Sequence, residues 1–449
     1  MLPILFGILF GMNPDKKKTE QFLNQTDMHP ERIKMTSTVD DMVDDMKRGL
    51  NGEPASMEMI PTFIEVDTKV QQDKKAVVLD AGGTNLRAAL VSFNSEGMSV
   101  IEDFTKQPMP GTQGREVSRE EFFDSLAALV EPLADRGEKI GFCFSYPTEI
   151  FPDKDGRLMH WTKEVLAPGV VGRKIGSDLR DALSERGVSK PPGVVILNDT
   201  VATVLTGKAS QAGRDWGGFI GLILGTGTNT CYVESNASIG KIQGLDASRG
   251  QVINCESGSY TGRFRGKADE MLCSLTERPD FHQFEKMISG RYFGPLVTQS
   301  VLLAGESGLF SKEGFAAIKA LGEISTKDAD NYTHNPSGSG NALVAAMQSS
   351  GSDADARRLW FLIDALLERA AKLTAANLAA AVIKGQGGSG PLSPTCITID
   401  GTTYYRYYRF QHRVESYLRP FLSARDNYYE TVQVDDAPLI GAAVAALTN

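Results

Sequence analysis

Two glycine-rich turns, each set between two short apolar runs, constrain the fold of this chain more than any other feature. In residues 76–93, the apolar run that begins at Ala76 stops at Gly82-Gly83 and then resumes. In residues 219–234, two further runs flank Gly225-Thr226-Gly227-Thr228. Short apolar runs bounded by glycine turns predict buried strands. The pattern of strand, turn and strand therefore occurs twice, either through an internal duplication or merely as two hairpins.

Helical patterns alternate with predicted strands along the rest of the chain. Helices are predicted at 118–136, 172–187, 201–209, 285–303, 357–384 and 437–447. Further strands are predicted at 139–144, 194–197 and 395–400. Ser118, with Glu121 three residues later, is typical of a capping box at a helix start. The alternation predicts an α/β fold.

The composition excludes several classes of protein. The 449 residues are 41% hydrophobic and 23% charged, which suits more than one buried core and excludes a wholly disordered chain. A formal net charge of −9 argues against a duplex-DNA binder. Five cysteines without C-x-x-C spacing predict reduced thiols and a cytoplasmic location. Five dispersed histidines argue against a structural zinc site.

An apolar stretch occupies residues 1–12 and is followed by three lysines. A secretory signal places its positive charges before the apolar stretch, and this order is reversed here. The stretch is also too short to span a bilayer. It is interpreted as a peptide packed on the protein, an extended start to the recorded chain, or a weak membrane anchor. No membrane-spanning segment is expected.

The first glycine turn carries groups suited to phosphate binding. Asp80 ends the preceding strand, where its carboxylate could face a hydrated cation. The residues that could surround phosphate oxygens are Gly82, Gly83, Thr84, Asn85 and Arg87. An ordinary β-turn is the alternative, because D-x-G-G alone is common. Neither the Rossmann nor the P-loop glycine motif occurs, so those folds lack their usual support.

The second glycine turn again combines glycines with hydroxyl and amide side chains, over Gly225–Asn229. Two such turns indicate two similar domains that face one nucleotide. Between them, Asn198 and Asp199 follow a predicted strand and precede a helix, where α/β proteins place ligand chemistry. The alternative is that one of these two side chains simply caps the helix.

Other polar segments suit a polyhydroxylated ligand. Ser145-Tyr146-Pro147 follows a strand, and Trp161-Thr162-Lys163 adds a hydroxyl and an ammonium group. Asn254-Cys255-Glu256 and Glu285 offer carboxylates that could accept hydrogen bonds from hydroxyls. Each of these short segments could equally be an ordinary loop or a solvated surface.

The order of these motifs resembles that of the hexokinase family, of the eukaryotic hexokinase and glucokinase type. The matching segments are LDAGGTNLR (79–87), GFCFSYP (141–147), HWTKE (160–164), LNDTVAT (197–203), GLILGTGTNTCYVE (221–234), FEKMISGRYFG (284–294) and DGTTYYR (400–406). Any one of them is a weak signal, whereas all of them in family order are specific. The resemblance implies a divergent, single-unit member of the family.

The resemblance implies a role for each matching residue. Asp199 would be the base that takes the proton from the sugar 6-hydroxyl, with Lys163 as the second catalytic residue. The hexose would be held by Ser145, Thr162, Lys163, Asn198, Asp199, Asn229, Glu256 and Glu285. ATP would be held by Asp80, Gly82, Gly83, Thr84, Asn85, Arg87, Thr226, Gly227, Thr228, Gly401 and Thr402. Asp80 would bind Mg²⁺ through water.

The fold implied is α/β, with two actin-like (ribonuclease H-like) domains and a central cleft. The small domain would comprise residues 75–200 with the terminal helix 437–449, and the large domain 201–436. Residues 1–74 would pack on the large domain. The expected partners are a hexose and ATP, without nucleic acid or a membrane span. The oligomeric state stays open between monomer and homodimer.

The activity implied is ATP-dependent phosphorylation of the 6-hydroxyl of glucose or a related hexose. A kinase that prefers mannose, fructose or an amino sugar is the alternative within enzymes. A non-catalytic sugar sensor on the same fold, or another actin-like ATPase, is the alternative from a different class. The segment Ser257-Gly258-Ser259 departs from the family's Trp-Gly-Ala, so the sugar preference is open. A second departure, at residues 436–443, replaces a glycine-rich turn near the nucleotide.

Overall fold

The computed structural model describes residues 13–66, 70–83, 85–112, 114–161, 165–210 and 214–449. Within these ranges the strands are β1 (Ile60–Pro61), β2 (Lys75–Ala81), β3 (Asn85–Phe93), β4 (Ser99–Pro108), β5 (Lys139–Phe144), β6 (Thr148–Ile150), β7 (Gly156–Leu158), β8 (Gly193–Leu197), β9 (Gly218–Leu224), β10 (Thr228–Ser235), β11 (Gly250–Asn254), β12 (Thr395–Asp400) and β13 (Tyr429–Val432). The helices are α1 (Pro14–Gln25), α2 (Met35–Asn51), α3 (Arg119–Val130), α4 (Ile175–Glu185), α5 (Asp199–Ser210), α6 (Lys267–Ser274), α7 (Gln283–Ile288), α8 (Gly290–Glu306), α9 (Lys312–Lys319), α10 (Thr326–His334), α11 (Ala342–Ser350), α12 (Asp353–Gly385), α13 (Thr402–Arg406), α14 (Phe410–Ser423) and α15 (Ala437–Thr448). Over the same ranges, every helix is too short or too polar to cross a membrane.

The two large sheets share one strand order. One sheet runs β4-β3-β2-β5-β8, and the other runs β11-β10-β9-β12-β13, with β1 added beside β11. In each sheet the first three strands of this order pair antiparallel. The remaining strands pair parallel. Of the two interpretations of the repeated turn, this shared topology supports an internal duplication.

Most predicted elements form, and two of them differ in detail. The predicted helix over 285–303 is interrupted at Ser289, whose backbone is extended, so α7 and α8 are separate helices. At the start of α3, the Ser118 hydroxyl accepts a hydrogen bond from the Glu121 N–H at 3.1 Å. The Glu121 carboxylate pairs with Arg115 and does not return to the cap, so half of the predicted capping box is present.

Helices α5 and α15 pack against each other and against strands of both large sheets in one hydrophobic core. The backbones approach so closely that glycine is required at two positions. A Cβ atom on Gly141 of β5 would lie 2.0 Å from the carbonyl oxygen of Ala442. A Cβ atom on Gly441 would lie 2.0 Å from the carbonyl oxygen of Ala202. These contacts fix α15 tightly beside β5 and α5.

The chain divides into two compact units. The first contains residues up to Thr38 together with Thr261–Ala376 and Thr402–Tyr417. The second contains Val39–Tyr260, Asn377–Gly401 and Leu418–Asn449. All the strands of the described ranges belong to the second unit. The domain division expected from the family resemblance stays a prediction.

An enclosed ion pair lies in the first, helical unit. Arg369 of α12 and Asp269 of α6 are each 1% exposed, and a guanidinium nitrogen lies 2.9 Å from a carboxylate oxygen. The guanidinium also donates to the Phe264 carbonyl at 3.1 Å. The carboxylate accepts a further hydrogen bond from the Gly266 N–H at 2.7 Å, at the start of α6. Both charges are therefore compensated inside the core.

Candidate active site

The predicted site residues of the second unit gather at the carboxyl ends of its parallel strands. Asp80 lies near the end of β2, Ser145 follows β5, and Asn198 follows β8. The Ser145 N–H donates to the Ala81 carbonyl at 3.3 Å, which places Ser145 beside the first glycine turn. In α/β proteins this edge of a sheet is where ligands bind.

Asp80 and Arg87 face each other across the hairpin of β2 and β3. The Arg87 Nε donates to the Asp80 carboxylate at 2.6 Å, and Asp80 is only 2% exposed. Burial raises the pKa of Asp80, while the Arg87 guanidinium opposes that effect and the charge of Asp199 adds to it. Arg87 contacts one of the two carboxylate oxygens, and the contact of Asp80 with Mg²⁺ through water stays a prediction.

Tyr146 stabilises the first glycine turn through a hydrogen bond. The Tyr146 hydroxyl donates to the Gly82 carbonyl at 2.7 Å, and the Gly82 N–H donates to the Asn85 carbonyl at 3.1 Å. Tyr146 stands where the family that the sequence resembles commonly has phenylalanine. The phenol explains the substitution physically, since only tyrosine can donate this hydrogen bond.

Of the two side chains that the sequence offered as a helix cap, the structure assigns the cap to Asn198. The Asn198 side-chain oxygen accepts from the Val201 N–H at 2.8 Å, so Asn198 caps α5. Asp199 accepts from the adjacent Thr200 N–H at 2.9 Å and is half-buried. Because the cap is supplied by Asn198, the Asp199 carboxylate is not required for it and can serve a ligand.

The second glycine turn packs against the strand end that leads into Gly401. Gly401 has a φ of +121°, and a Cβ atom there would lie 2.2 Å from the Leu224 carbonyl oxygen, so only glycine fits. Within the turn, the Gly225 N–H donates to the Gly227 carbonyl at 3.0 Å. The buried Thr228 hydroxyl donates to the Ile223 carbonyl at 2.9 Å. Thr228 therefore braces the turn.

Asn229, Asn254 and Glu256 form one hydrogen-bonded cluster at the ends of β10 and β11. The Asn229 amide donates to the Asn254 side-chain oxygen at 2.6 Å. The Asn254 amide donates to the Glu256 carboxylate at 2.7 Å, and the Asn229 amide lies 3.4 Å from the same carboxylate oxygen. Amide and carboxylate groups in this arrangement can bind several neighbouring hydroxyls.

Asp400 is a site carboxylate that sequence reasoning missed. It ends β12, directly before Gly401. Burial raises its pKa, the charge of Asp199 adds to the rise, and Arg87 opposes it. The charge of Asp199 therefore acts on both Asp400 and Asp80. The available signal was a carboxylate at a strand end just before glycine, as at Asp80.

Asparagine in place of Asp400 is expected to raise the midpoint of thermal unfolding at neutral pH. Because the pKa of Asp400 is raised in the folded state, ionisation disfavours folding at pH values above that pKa. This penalty shrinks as the pH falls and vanishes below the ordinary aspartate pKa of about 3.9. The gain, measured by calorimetry, should therefore shrink as the pH is lowered from neutral toward the ordinary aspartate pKa. The exposed control Asp181→Asn on α4 should leave the unfolding midpoint unchanged. A rise in the midpoint of Asp400→Asn that is the same at every pH would contradict the raised pKa as its cause.

The structure brings together most of the predicted residues of the second unit. Those that are half-buried at the strand ends are Gly82, Gly83, Asn85, Arg87, Ser145, Asn198, Asp199, Gly227, Asn229, Glu256 and Gly401, and Thr226 is exposed. Glu285, on α7, and Thr402, at the start of α13, belong to the first unit. Thr84, Thr162 and Lys163 lie outside the described residues.

Comparison with known proteins points to one family. Two family models described as Hexokinase match residues 18–209 and 219–448. The chain is 30% identical over 447 residues to Hexokinase-1 of Nicotiana tabacum, covering 93% of this chain and 88% of that one. It is 29% identical over 403 residues to Hexokinase-3 of Mus musculus, covering 86% of this chain but only 42% of that longer protein.

The fold is also found in solved structures. A hexokinase from Schistosoma mansoni, complexed with glucose, matches with a TM-score of 0.74 at 22% identity. The match covers 97% of this chain and all of that one. This likeness confirms the predicted actin-like α/β fold class.

Proposed function

This chain belongs to the hexokinase family, and on that premise we propose that it is an ATP-dependent hexose kinase. The reaction is transfer of the ATP γ-phosphate to the 6-hydroxyl of the sugar. One observation carries the proposal: Asn198 caps α5 and leaves the adjacent Asp199 carboxylate at the carboxyl end of β8, in the sheet that also contains β2 and the first glycine turn. At the same helix start, the Thr200 carbonyl accepts from the Cys231 thiol of β10 at 2.9 Å, so the candidate base also lies close to the strand that follows the second glycine turn.

The hexose binds through the cluster of Asn229, Asn254 and Glu256, together with Ser145 and Asn198. Amide N–H groups donate to sugar oxygens, and the Glu256 carboxylate accepts from sugar hydroxyls.

The family resemblance adds three residues to those that bind the hexose: Thr162, Lys163 and Glu285. Glucose is the first candidate, because a structurally similar hexokinase was solved with glucose.

In the transfer step, Asp199 orients the attacking hydroxyl and accepts its proton. A bond forms between the 6-oxygen and the γ-phosphorus, the bond to the β-phosphate oxygen breaks, and ADP leaves with its electron pair. A carboxylate oriented in this way can take up the hydroxyl proton as the bond to phosphorus forms. The resemblance makes Lys163 the second catalytic residue. Catalysis of this type rests mainly on positioning and on charge stabilisation.

The nucleotide is held by the two glycine turns. On one side the turn at Gly82-Gly83 faces the phosphate oxygens, where the Gly83 N–H and the Arg87 guanidinium donate, since the Gly82 N–H is already bonded to the Asn85 carbonyl. On the other side, the phosphate oxygens are faced by Thr226, Gly227 and Gly401. The resemblance adds four further residues that contact the nucleotide: Thr84, Asn85, Thr228 and Thr402. Bound Mg²⁺, held near Asp80 through water, would neutralise charge on the phosphates. The small and large domains of the family, and a cytoplasmic location, belong to the same proposal.

The departure at Ser257 favours a second candidate, a kinase for a different hexose. A serine stands where the family has tryptophan, and its side chain is buried and turned toward Thr230. The loss of a large aromatic ring changes the wall beside Glu256. Mannose, fructose or an amino sugar could therefore be preferred over glucose.

A coupled assay over several sugars tests the proposal. Glucose, mannose, fructose and glucosamine are each incubated with ATP and Mg²⁺, and both ADP and the sugar 6-phosphate are measured. We expect equal amounts of ADP and sugar 6-phosphate for at least one hexose, and little ADP without sugar. Hexose binding without phosphorylation would identify a sensor instead, and ATP hydrolysis without sugar phosphate would identify another actin-like ATPase.

A further inference from the structure

Beneath the cluster of Asn229, Asn254 and Glu256 lies a second, fully buried set of polar side chains. Thr230 of β10 and Ser257 are each 1% exposed, and Asn377 of α12 is 5% exposed. The Asn377 amide donates to the Thr230 hydroxyl at 2.6 Å. The Ser257 hydroxyl lies 3.1 Å from the same Thr230 oxygen. We call these three residues the buried tether.

The buried tether adjoins the Asn229 side chain on both sides. The Asn229 side-chain oxygen accepts from the Thr230 N–H at 2.7 Å and from the Ser257 N–H at 3.3 Å. Its amide nitrogen is therefore directed at Asn254 and Glu256. Since two backbone donors fix the oxygen, the amide cannot flip without losing both hydrogen bonds. The orientation of Asn229 thus depends on the positions of Thr230 and Ser257.

Glu256 has a backbone conformation that requires support. Its φ of +54° and ψ of +46° lie in the left-handed region, which costs free energy for a residue other than glycine. The next residue, Ser257, begins a short 3₁₀ turn and is anchored through its hydroxyl to Thr230. The Cys255 N–H also donates to the Thr230 carbonyl at 3.0 Å. Thr230 therefore holds the chain on both sides of Glu256.

From this geometry we propose that Thr230, Ser257 and Asn377 are positioning residues that set the affinity for the hexose. They do not touch the sugar themselves. Asn377 fixes the Thr230 hydroxyl to the rigid helix α12, Thr230 fixes Ser257, and Ser257 keeps the Glu256 carboxylate and the Asn229 amide in place. The inference rests on the proposed function, because it assigns sugar binding to Asn229 and Glu256.

The test compares Thr230→Val, which removes the hydroxyl at nearly constant volume, with Thr230→Ser, which keeps it. For Thr230→Val we expect the KM for the preferred hexose to rise on the order of tenfold, because small misplacements of binding groups are costly. The KM for ATP should stay at the wild-type value. Thr230→Ser should keep the wild-type hexose KM, and Asn377→Leu should behave like Thr230→Val.

Thr374→Val is the matched control on α12. Thr374 is fully buried, and its hydroxyl donates to the Ala370 carbonyl of its own helix at 2.9 Å. A purely structural effect would lower thermal stability in this variant as well, without a change in hexose KM. A wild-type hexose KM in folded Thr230→Val and Asn377→Leu would overturn the inference.

Calorimetric titration of hexose without ATP separates this inference from the proposed function. If the wild-type protein binds hexose but forms no sugar phosphate, the kinase proposal fails. In that case the inference is tested by the Kd for the hexose, which should be higher for Thr230→Val than for Thr230→Ser. If the wild-type protein binds no hexose from the panel, both proposals fall.

Discussion

Asparagine at position 199 is expected to lower kcat for sugar phosphorylation by roughly 10²- to 10⁴-fold, the range typical for loss of a general base. The amide keeps the size of aspartate and can still accept from the Thr200 N–H, which lies 2.9 Å from the carboxylate. It cannot take up the hydroxyl proton. Helix α5 stays capped, because Asn198 accepts from the Val201 N–H at 2.8 Å. The variant should therefore lose turnover because proton transfer fails, while its affinity for the hexose stays largely intact.

Two measurements separate chemistry from binding in this variant. The coupled assay gives kcat, and calorimetric titration gives the Kd for the hexose. Asp181→Asn, an exposed aspartate on α4, serves as the control and should keep the wild-type kcat. Near-normal turnover by folded Asp199→Asn protein would remove Asp199 from the role of base.

Alanine in place of Asp269 is expected to lower the free energy of unfolding by roughly 3–5 kcal/mol, as found when one partner of a buried ion pair is removed. The change leaves the Arg369 guanidinium, which is 1% exposed, without its carboxylate. It also removes the acceptor for the Gly266 N–H at the start of α6. Urea denaturation followed by circular dichroism measures the loss.

The double variant Asp269→Leu with Arg369→Met tests the cause of that loss. Once both charges are gone, no uncompensated charge stays in the core, so most of the stability should return. Asp44→Ala breaks an exposed pair with Lys47 on α2 and should cost no more than about 1 kcal/mol. A double variant as unstable as Asp269→Ala would show that the packing of these side chains, and not their charge, is decisive.

The buried elements of the fold were predictable from the sequence, whereas its edges were not. Strands β2, β5, β8, β9 and β12 are short apolar runs between turn residues, so their patterns are clear. Strand β4, SVIEDFTKQP, is mostly exposed, and its few apolar residues form neither a continuous run nor a strict alternation. The break at Ser289 between α7 and α8 had only the Ser289-Gly290 dipeptide as its signal, which the helical pattern on both sides outweighed.

The positions of the candidate site residues were predictable where they follow a local motif, while their roles stay predictions. Asp80, Asn198, Asp199 and Asn229 stand directly at strand ends beside glycine or helix starts, and the structure finds them there. Asp400 was missed because its coupling to Asp199 depends on the neighbouring positions of β12 and α5, which are far apart in sequence.

The buried tether was hidden for a related reason. Asn377 meets Thr230 across 147 positions of the chain, inside a helix whose sequence is otherwise mainly apolar. The left-handed conformation of Glu256 has no sequence signal either, because glutamate rarely adopts it. Contacts of this kind follow from tertiary packing and not from local pattern.

The close packing of α15 beside β5 and α5 has a consequence for synthesis on the ribosome. The Thr206 hydroxyl of α5 bonds to the Ala437 carbonyl, which is 231 residues later in the chain. At about 5–20 residues per second, a ribosome needs on the order of tens of seconds to add that length. Throughout that interval, the apolar surfaces of β5 and α5 that α15 covers are open in the nascent chain. The second unit therefore cannot complete its core during translation of its first half, and chaperones have a long time in which to bind it.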